Sequence, residues 1–182
     1  MLTLGRELFG ERSYEEISIG DIAKAAGISK GLLYHYFPSK RDFYVAVVRD
    51  AAQDLLDRTE PPDAVRGDVE LLHAKLEAYL DYVEENFVAY AMLLRSGIGS
   101  DREVLGIVEG TRRAFVERLL VTLPFEKPSA LMRTALRGWV GFVEAASLDW
   151  IERRDVERDE LRQLLARTLM ASIVAADGKI EI

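Results

Sequence analysis

All-α, with about nine helices in two parts, is the fold class this sequence predicts, and three observations predict it. Apolar residues recur three and four positions apart along nearly all of the 182 residues, while the strict alternation of a half-buried strand is missing. Glycine, proline and capping serines punctuate those runs at helix-length intervals. Hydrophobic residues make up 49% of the chain and charged residues 30%, the balance of a polypeptide that buries a core in water. There are no cysteines, which removes disulfides, zinc-thiolate centres and thiol nucleophiles and fits a reducing cytoplasm.

Leu4, Leu8 and Phe9 mark a first helix from Leu2 to about Arg12, with Tyr14 and Ile17 packing just after it. Ser18 and Asp21 have the form of a capping box for a second helix, about 19–26, and Gly27 suits the left-handed position that ends it. Ser29 caps a third helix, Lys30 to about Phe37, which Pro38 stops. Ser39 and Asp42 repeat the capping-box form ahead of a fourth helix, whose Phe43, Val47, Ala51 and Leu55 share one face and which runs to about Arg58. Glu60-Pro61-Pro62-Asp63 is a boundary, because consecutive prolines cannot continue a helix. Beyond it the pattern predicts helices over about 65–87, onward to about 96, then 101–123, 129–153 and 157–176, interrupted at 97–100, at Pro124 and Pro128, and ended by Asp177-Gly178. The expected division is residues 1–45, with the linking fourth helix continuing to about 58, and residues 59–182.

Charge is unevenly spread. The net charge is −7, yet residues 1–58 carry eight Lys/Arg against nine Asp/Glu, and residues 59–182 carry sixteen against twenty-two. From Ile22 to Arg41 there are four cations, Lys24, Lys30, Lys40 and Arg41, and no carboxylate at all. Double-stranded nucleic acid is the polyanion such a face fits. The residue types agree. Ala23 and Ala26 are small where two helices must cross, Gly27 tolerates the turn, and Ile28, Leu33 and Phe37 make an apolar inner face. Lys30, Gly31, Tyr34, His35 and Tyr36 are left for the outer face. This is the pattern of a helix-turn-helix DNA-binding domain of three helices, followed by a helical domain of its own.

The string Ser18 to Lys40, S-I-G-D-I-A-K-A-A-G-I-S-K-G-L-L-Y-H-Y-F-P-S-K, resembles the DNA-binding domain of TetR-family transcriptional regulators, which read T-x-x-D-I-A-x-x-A-G-V-S-x-G-x-L-Y-x-H/Y-F-x-S/T-K. Leu8-Phe9 and Tyr14 extend the resemblance upstream, so that it covers about residues 2–50. Two departures stand out. Ser13 occupies a position where the family usually has glycine, which predicts a small strain if that residue is left-handed. The sequence also opens on the first helix, where members of the family commonly carry a basic arm ahead of it, so that an arm's contribution is either absent or lies outside this sequence.

The resemblance implies that residues 28–37 enter the major groove of an operator. Lys30 would reach a phosphate or a guanine edge, Gly31 would let the backbone come close, and Leu32 would meet a thymine methyl. Tyr34, His35 and Tyr36 would bond phosphates or base edges, with Tyr36 the ring expected to be partly turned inward. Ser18, Ser29 and Lys40 would stand at the starts of their helices, Ser18 and Lys40 as phosphate clamps. In the second part the resemblance implies an apolar effector pocket, drawn from Tyr79, Tyr82, Tyr90, Arg95, Phe115, Trp139, Phe142 and Glu144, for a small hydrophobic or aromatic ligand. It further implies a homodimer through the last two long helices. Gly138, Gly141 and Ala145 thin one face there, and Leu161, Leu165, Leu169 and Ile173 form an apolar stripe that equally suits packing within one subunit.

The function expected is a ligand-responsive repressor that binds a palindromic operator as a dimer and is released by its effector. Two other classes stay open on the residues: a helical protein-interaction module, and a small helical hydrolase. An enzyme is not expected, since no nucleophile and base are placed together. His73 and Glu77 lie one turn apart without a third ligand, which reads as a solvated helix face and not a metal site. No cofactor is expected, and no apolar run is long enough to span a membrane.

Overall fold

The computed structural model describes residues 1–60, 68–94, 101–122 and 127–177. Every regular element among them is a helix: α1 (Leu2–Glu11), α2 (Ile19–Ala25), α3 (Lys30–Tyr36), α4 (Lys40–Arg58), α5 (Asp68–Glu85), α6 (Phe87–Leu94), α7 (Arg102–Thr122), α8 (Ala130–Arg153) and α9 (Arg158–Asp177). The prolines at 61 and 62, the break at 97–100, Pro124 and Gly178 lie outside the described residues.

The helix starts are set by side chains that satisfy otherwise orphaned backbone N–H groups. The Ser18 hydroxyl accepts from Asp21 N at 3.1 Å, and the Asp21 carboxylate accepts from Ser18 N at 2.8 Å, a complete capping box. Ser39 accepts from Asp42 N at 3.1 Å, Ser129 from Met132 N at 3.0 Å, and Asp101 from Glu103 N at 2.9 Å. Ser13 is not strained. Arg154 is the one non-glycine residue with positive φ among the described residues, and Ser13 instead donates its N–H to the Glu16 carboxylate at 2.9 Å.

The helices fall into two compact units. The first holds residues 1–55 and 86–109. Its core joins Phe9, Ile17, Ile22, Leu33, Phe43, Tyr44 and Val47, with the Phe9 and Tyr44 rings edge-on at 4.7 Å. Arg6 on α1 ties down α4 by donating to Asp50 at 2.8 Å and Asp54 at 2.6 Å. The division expected from the prolines had placed 86–109 with the second part, but α6 packs on α1. Gly10 makes the approach possible: a Cβ there would overlap the Val88 side chain and stand 3.0 Å from its carbonyl oxygen. The start of α7 is held to α4 by Arg41, which donates to Asp101 and to Glu103.

The second unit holds residues 56–85 and the chain from Gly110 onward. Leu76, Leu80 and Val83 of α5, Leu136, Val140 and Val143 of α8, and Leu161, Leu165, Leu169 and Ile173 of α9 are among its buried apolar residues. The α9 stripe therefore packs within one chain. The opposite side of α9 is the one left open, with Leu164, Met170 and Val174 exposed. At the α8–α9 corner Arg154 adopts φ 51° and ψ 34°. Its guanidinium lies 4.9 Å from the Trp150 ring and bonds Glu84 at 2.6 Å, contacts that hold an unfavourable backbone conformation in place.

Ion pairs join α5 to α9. Arg158 reaches Glu77 at 2.8 Å, Asp81 at 2.5 Å and Glu84 at 3.0 Å. His73 is half-buried here, where its Nδ1 accepts from Arg162, instead of standing on a solvated face. An open groove of about 570 Å³ runs past His73 and Leu72, with Arg162, Gln163, Arg167 and Met170 on its other side.

Candidate nucleic-acid interface

The turn between α2 and α3 is built by backbone bonds around Gly27. Ile28 N donates to Ala23 O at 3.0 Å and Gly27 N to Lys24 O at 3.2 Å, the paired closure of a Schellman motif. Gly27 sits at φ +66°, a conformation that costs a residue with a Cβ about 1–2 kcal/mol. Chain direction then reverses into α3, whose start is capped by Ser29 accepting from Leu32 N at 3.1 Å. Leu33 is fully buried and Phe37 half-buried, which fixes the rotation of α3 about its axis.

That rotation turns Lys30, Gly31, Leu32, Tyr34, His35 and Tyr36 outward, all of them exposed. Tyr36, expected to be shared with the interior, is 62% exposed, more than Tyr34 at 49%. The burial needed on this side is already supplied by Leu33 and Phe37. The His35 and Tyr36 rings meet edge-on at 5.3 Å. Lys30 folds back over the first turn of α2, where a Cβ at Gly20 would come within 3.1 Å of its Nζ.

Two of the expected phosphate clamps are engaged inside the protein. Lys40 Nζ donates to Tyr14 O at 2.8 Å and Ile17 O at 2.9 Å and lies 4.1 Å from the centre of the Tyr14 ring. With two of three donors given to carbonyls, this ammonium braces the segment between α1 and α2 in place of reaching out. The Ser18 hydroxyl is spent on Asp21, to which it also donates at 2.7 Å. That bonding, first through the Ser18 hydroxyl and then through its N–H, holds the Asp21 carboxyl below its ordinary pKa. Arg41 is likewise committed: its bond holds the Asp101 carboxyl below its ordinary pKa, and Asp101 and then Glu103 push the Arg41 guanidinium up. Lys24 and Lys30 are exposed and have no ion pair among the described residues.

The residues expected around an effector divide between several places. Tyr79 of α5 and Phe115 of α7 come together edge-on at 6.4 Å, and Tyr82 is buried beneath the Arg58 guanidinium at 5.4 Å. Trp139 is turned to α9, where its indole N–H donates to Leu165 O at 3.0 Å. Phe142 is 39% exposed on the outer side of α8. Glu144 accepts from Arg112 Nε at 3.0 Å, a partner that its sequence position did not announce. Tyr90 is buried in the first unit, and Arg95 lies outside the described residues. The groove beside His73 was also missed, because its two walls are some ninety residues apart in sequence.

A glycine-turn pair of short helices with a polar, aromatic and cationic outer face, carried by a larger helical body, is the architecture of a helix-turn-helix DNA-binding regulator. The comparisons agree and narrow the class. The family described as bacterial regulatory proteins, tetR family, matches residues 2–47, and the tetracyclin repressor-like C-terminal domain matches residues 69–172. The chain belongs to the TetR family of transcriptional regulators. It is 27% identical over 110 residues to the HTH-type transcriptional activator FasR of Mycolicibacterium smegmatis, a match covering 60% of this chain and 50% of that protein. It is 30% identical over 121 residues to the HTH-type transcriptional regulator UidR of Escherichia coli K12, covering 66% and 55%. The chain thus spans about half the length of these curated relatives. The crystal structure of a tetR-family regulator from Streptomyces coelicolor superposes with a TM-score of 0.83 at 31% identity, over 98% of this chain and 81% of that one.

Proposed function

We propose that the chain is a ligand-responsive repressor that binds a palindromic operator as a homodimer and is released by a small hydrophobic or aromatic effector. The observation that carries the reading is the outer face of α3, exposed along its whole length and presented beyond a glycine-centred turn. Lys30, Gly31, Leu32, Tyr34, His35 and Tyr36 meet the operator in this reading, with Lys24 contributing charge, while Ser18, Ser29 and Lys40 hold the helices that present them.

A second helix of the same kind must lie about 34–36 Å away, so that two copies enter successive major grooves of one duplex. The support for a homodimer is an apolar surface on the last two long helices. Leu131 and Phe142 of α8 and Leu164, Met170 and Val174 of α9 are large, apolar and exposed. Among the described residues, nothing outside Gly138's own stretch of helix lies within 4 Å of where a Cβ would stand, which leaves room for a second helix. Among the expected effector residues, Tyr79 and Phe115 are the pair in ring contact, which favours an apolar or aromatic ligand. An effector that prefers a spacing other than one helical turn withdraws the population from DNA, and by linkage operator DNA weakens the effector equally.

The test is fluorescence anisotropy with palindromic duplexes selected from a random pool. The expected result is saturation at two chains per duplex and release on adding a hydrophobic compound from a screened panel. Binding of one chain to an asymmetric site would overturn the dimer. Stimulation of transcription from an operator-bearing template would overturn the repressor sign, and FasR shows that a relative can carry the name of activator.

A further inference from the structure

The groove between α5 and α9, within the second unit, takes no part in the operator or effector contacts proposed above. Its volume of about 570 Å³ lies in the range that small-molecule sites occupy. Leu72 of α5 and Ala166 and Met170 of α9 are its apolar lining. His73, Arg162, Gln163 and Arg167 are its polar lining. No carboxylate is among them, in a chain that carries 31 Asp and Glu against 24 Lys and Arg. The groove is therefore a local reversal of the charge of the whole.

The polar side chains are not equally free. Arg162 is paired with Glu77 and Asp159 and donates to His73 Nδ1. An imidazole nitrogen that accepts carries no proton, so the His73 proton stands on Nε2, a donor with no partner among the described residues. Gln163 donates to Asp159 Oδ2 at 2.6 Å and accepts from Arg167 Nη2 at 3.0 Å. Arg167 is exposed and has no ion pair among the described residues. The relay from Asp159 through Gln163 braces its guanidinium by one nitrogen and leaves the other donors open. Glu70, one turn ahead of His73, is exposed but does not line the groove, and Glu77, one turn beyond, is held by Arg158 and Arg162.

A braced guanidinium matches a carboxylate, whose two oxygens accept from parallel N–H groups. The apolar lining beside it offers area that a small inorganic anion would not use. We propose that this groove binds an amphipathic organic acid, with its carboxylate on Arg167 and the Nε2–H of His73 and its apolar body against Leu72, Ala166 and Met170. The site includes neither Tyr79 nor Phe115, so it stands or falls apart from the effector reading. Met170 is shared with the apolar surface offered for the homodimer, which makes a second copy of the chain the competing occupant.

The full chain is titrated with 1-pyrenebutanoate and with 1-pyrenebutanol, which keeps the apolar body and lacks the charge, and binding is read by fluorescence anisotropy. The acid should bind about fivefold more tightly, the upper end for an ion pair open to solvent, and the difference should shrink as salt is raised. Arg167→Gln should bring the ratio below about twofold, while Arg167→Lys, which keeps the charge without the fork, should retain part of it. Leu72→Ala should weaken both probes alike, and Phe115→Ala should leave the ratio unchanged. Circular dichroism checks that each variant keeps the parent's helical content. Equal affinity of acid and alcohol, or a ratio unaltered by Arg167→Gln, overturns the proposal. A ratio lost in Phe115→Ala overturns it by moving the anion to the effector residues. Failure of both probes to bind overturns it as well, and dissociation of the dimer by Met170→Glu on sedimentation would then give the groove to a second copy.

Discussion

Single residues decide how α3 is aimed. Gly27 is the clearest case, since its φ of +66° leaves a side chain strained whatever space surrounds it. Gly27→Ala should lower stability by about 1–2 kcal/mol, read as a lower urea midpoint with an unchanged slope. Lys30, the first residue of α3, is exposed, has no ion pair among the described residues and folds over Gly20 of α2. Lys30→Ala should weaken operator binding and reduce the slope of log affinity against log salt by about one per contact, measured by anisotropy between low and moderate salt. An unchanged slope would remove its phosphate role. Both residues were legible in the sequence, because glycine at a helix end and an unpaired lysine carry their physics locally. The engagement of Lys40 was not, because the carbonyls of Tyr14 and Ile17 that capture it belong to a different loop.

Helices keep their places through contacts that sequence spacing cannot display. The α1–α6 contact depends on Gly10 having no side chain against Val88. Gly10→Ala should therefore destabilise the protein by about 1–3 kcal/mol, and adding Val88→Ala should recover part of the loss, both by urea denaturation. The start of α7 depends on Asp101, which caps the helix and holds Arg41. Its carboxyl lies below the ordinary aspartate pKa, first because of the Arg41 hydrogen bond. A depressed carboxyl stabilises the fold fully above the unfolded value of about 4, and that stability is lost as pH falls through the lower folded value. Acid titration of Asp101→Asn should accordingly show a shallower fall in stability below about pH 4 than the parent chain. The helices themselves were readable from periodicity and caps, with ends that agree within a few residues. What periodicity cannot give is the neighbour of each helix, and so α6 was expected with the second part of the chain while it packs with the first.

At the scale of the assembled molecule, apolar surface left over after folding carries the prediction. Phe142 and Leu164 are exposed in the single chain, so charging them should leave the fold intact while opposing association. Phe142→Glu with Leu164→Glu should sediment as a monomer of native helical content and lose cooperative operator binding; an unperturbed dimer would place the interface elsewhere. Local chemistry along the chain was enough to specify an all-helical protein, its helix-turn-helix and the side chains exposed on the outer face of α3, because caps, turns and one-sided apolar patterns act over a few residues. Contacts between residues far apart in sequence settled the rest: the inward use of Lys40, the Arg112–Glu144 pair, the burial of the Leu161–Ile173 stripe and the exposure of the opposite side of α9. A helix of this composition has more than one apolar side that could be buried, and which one faces the core depends on the shape of the neighbours it meets after folding.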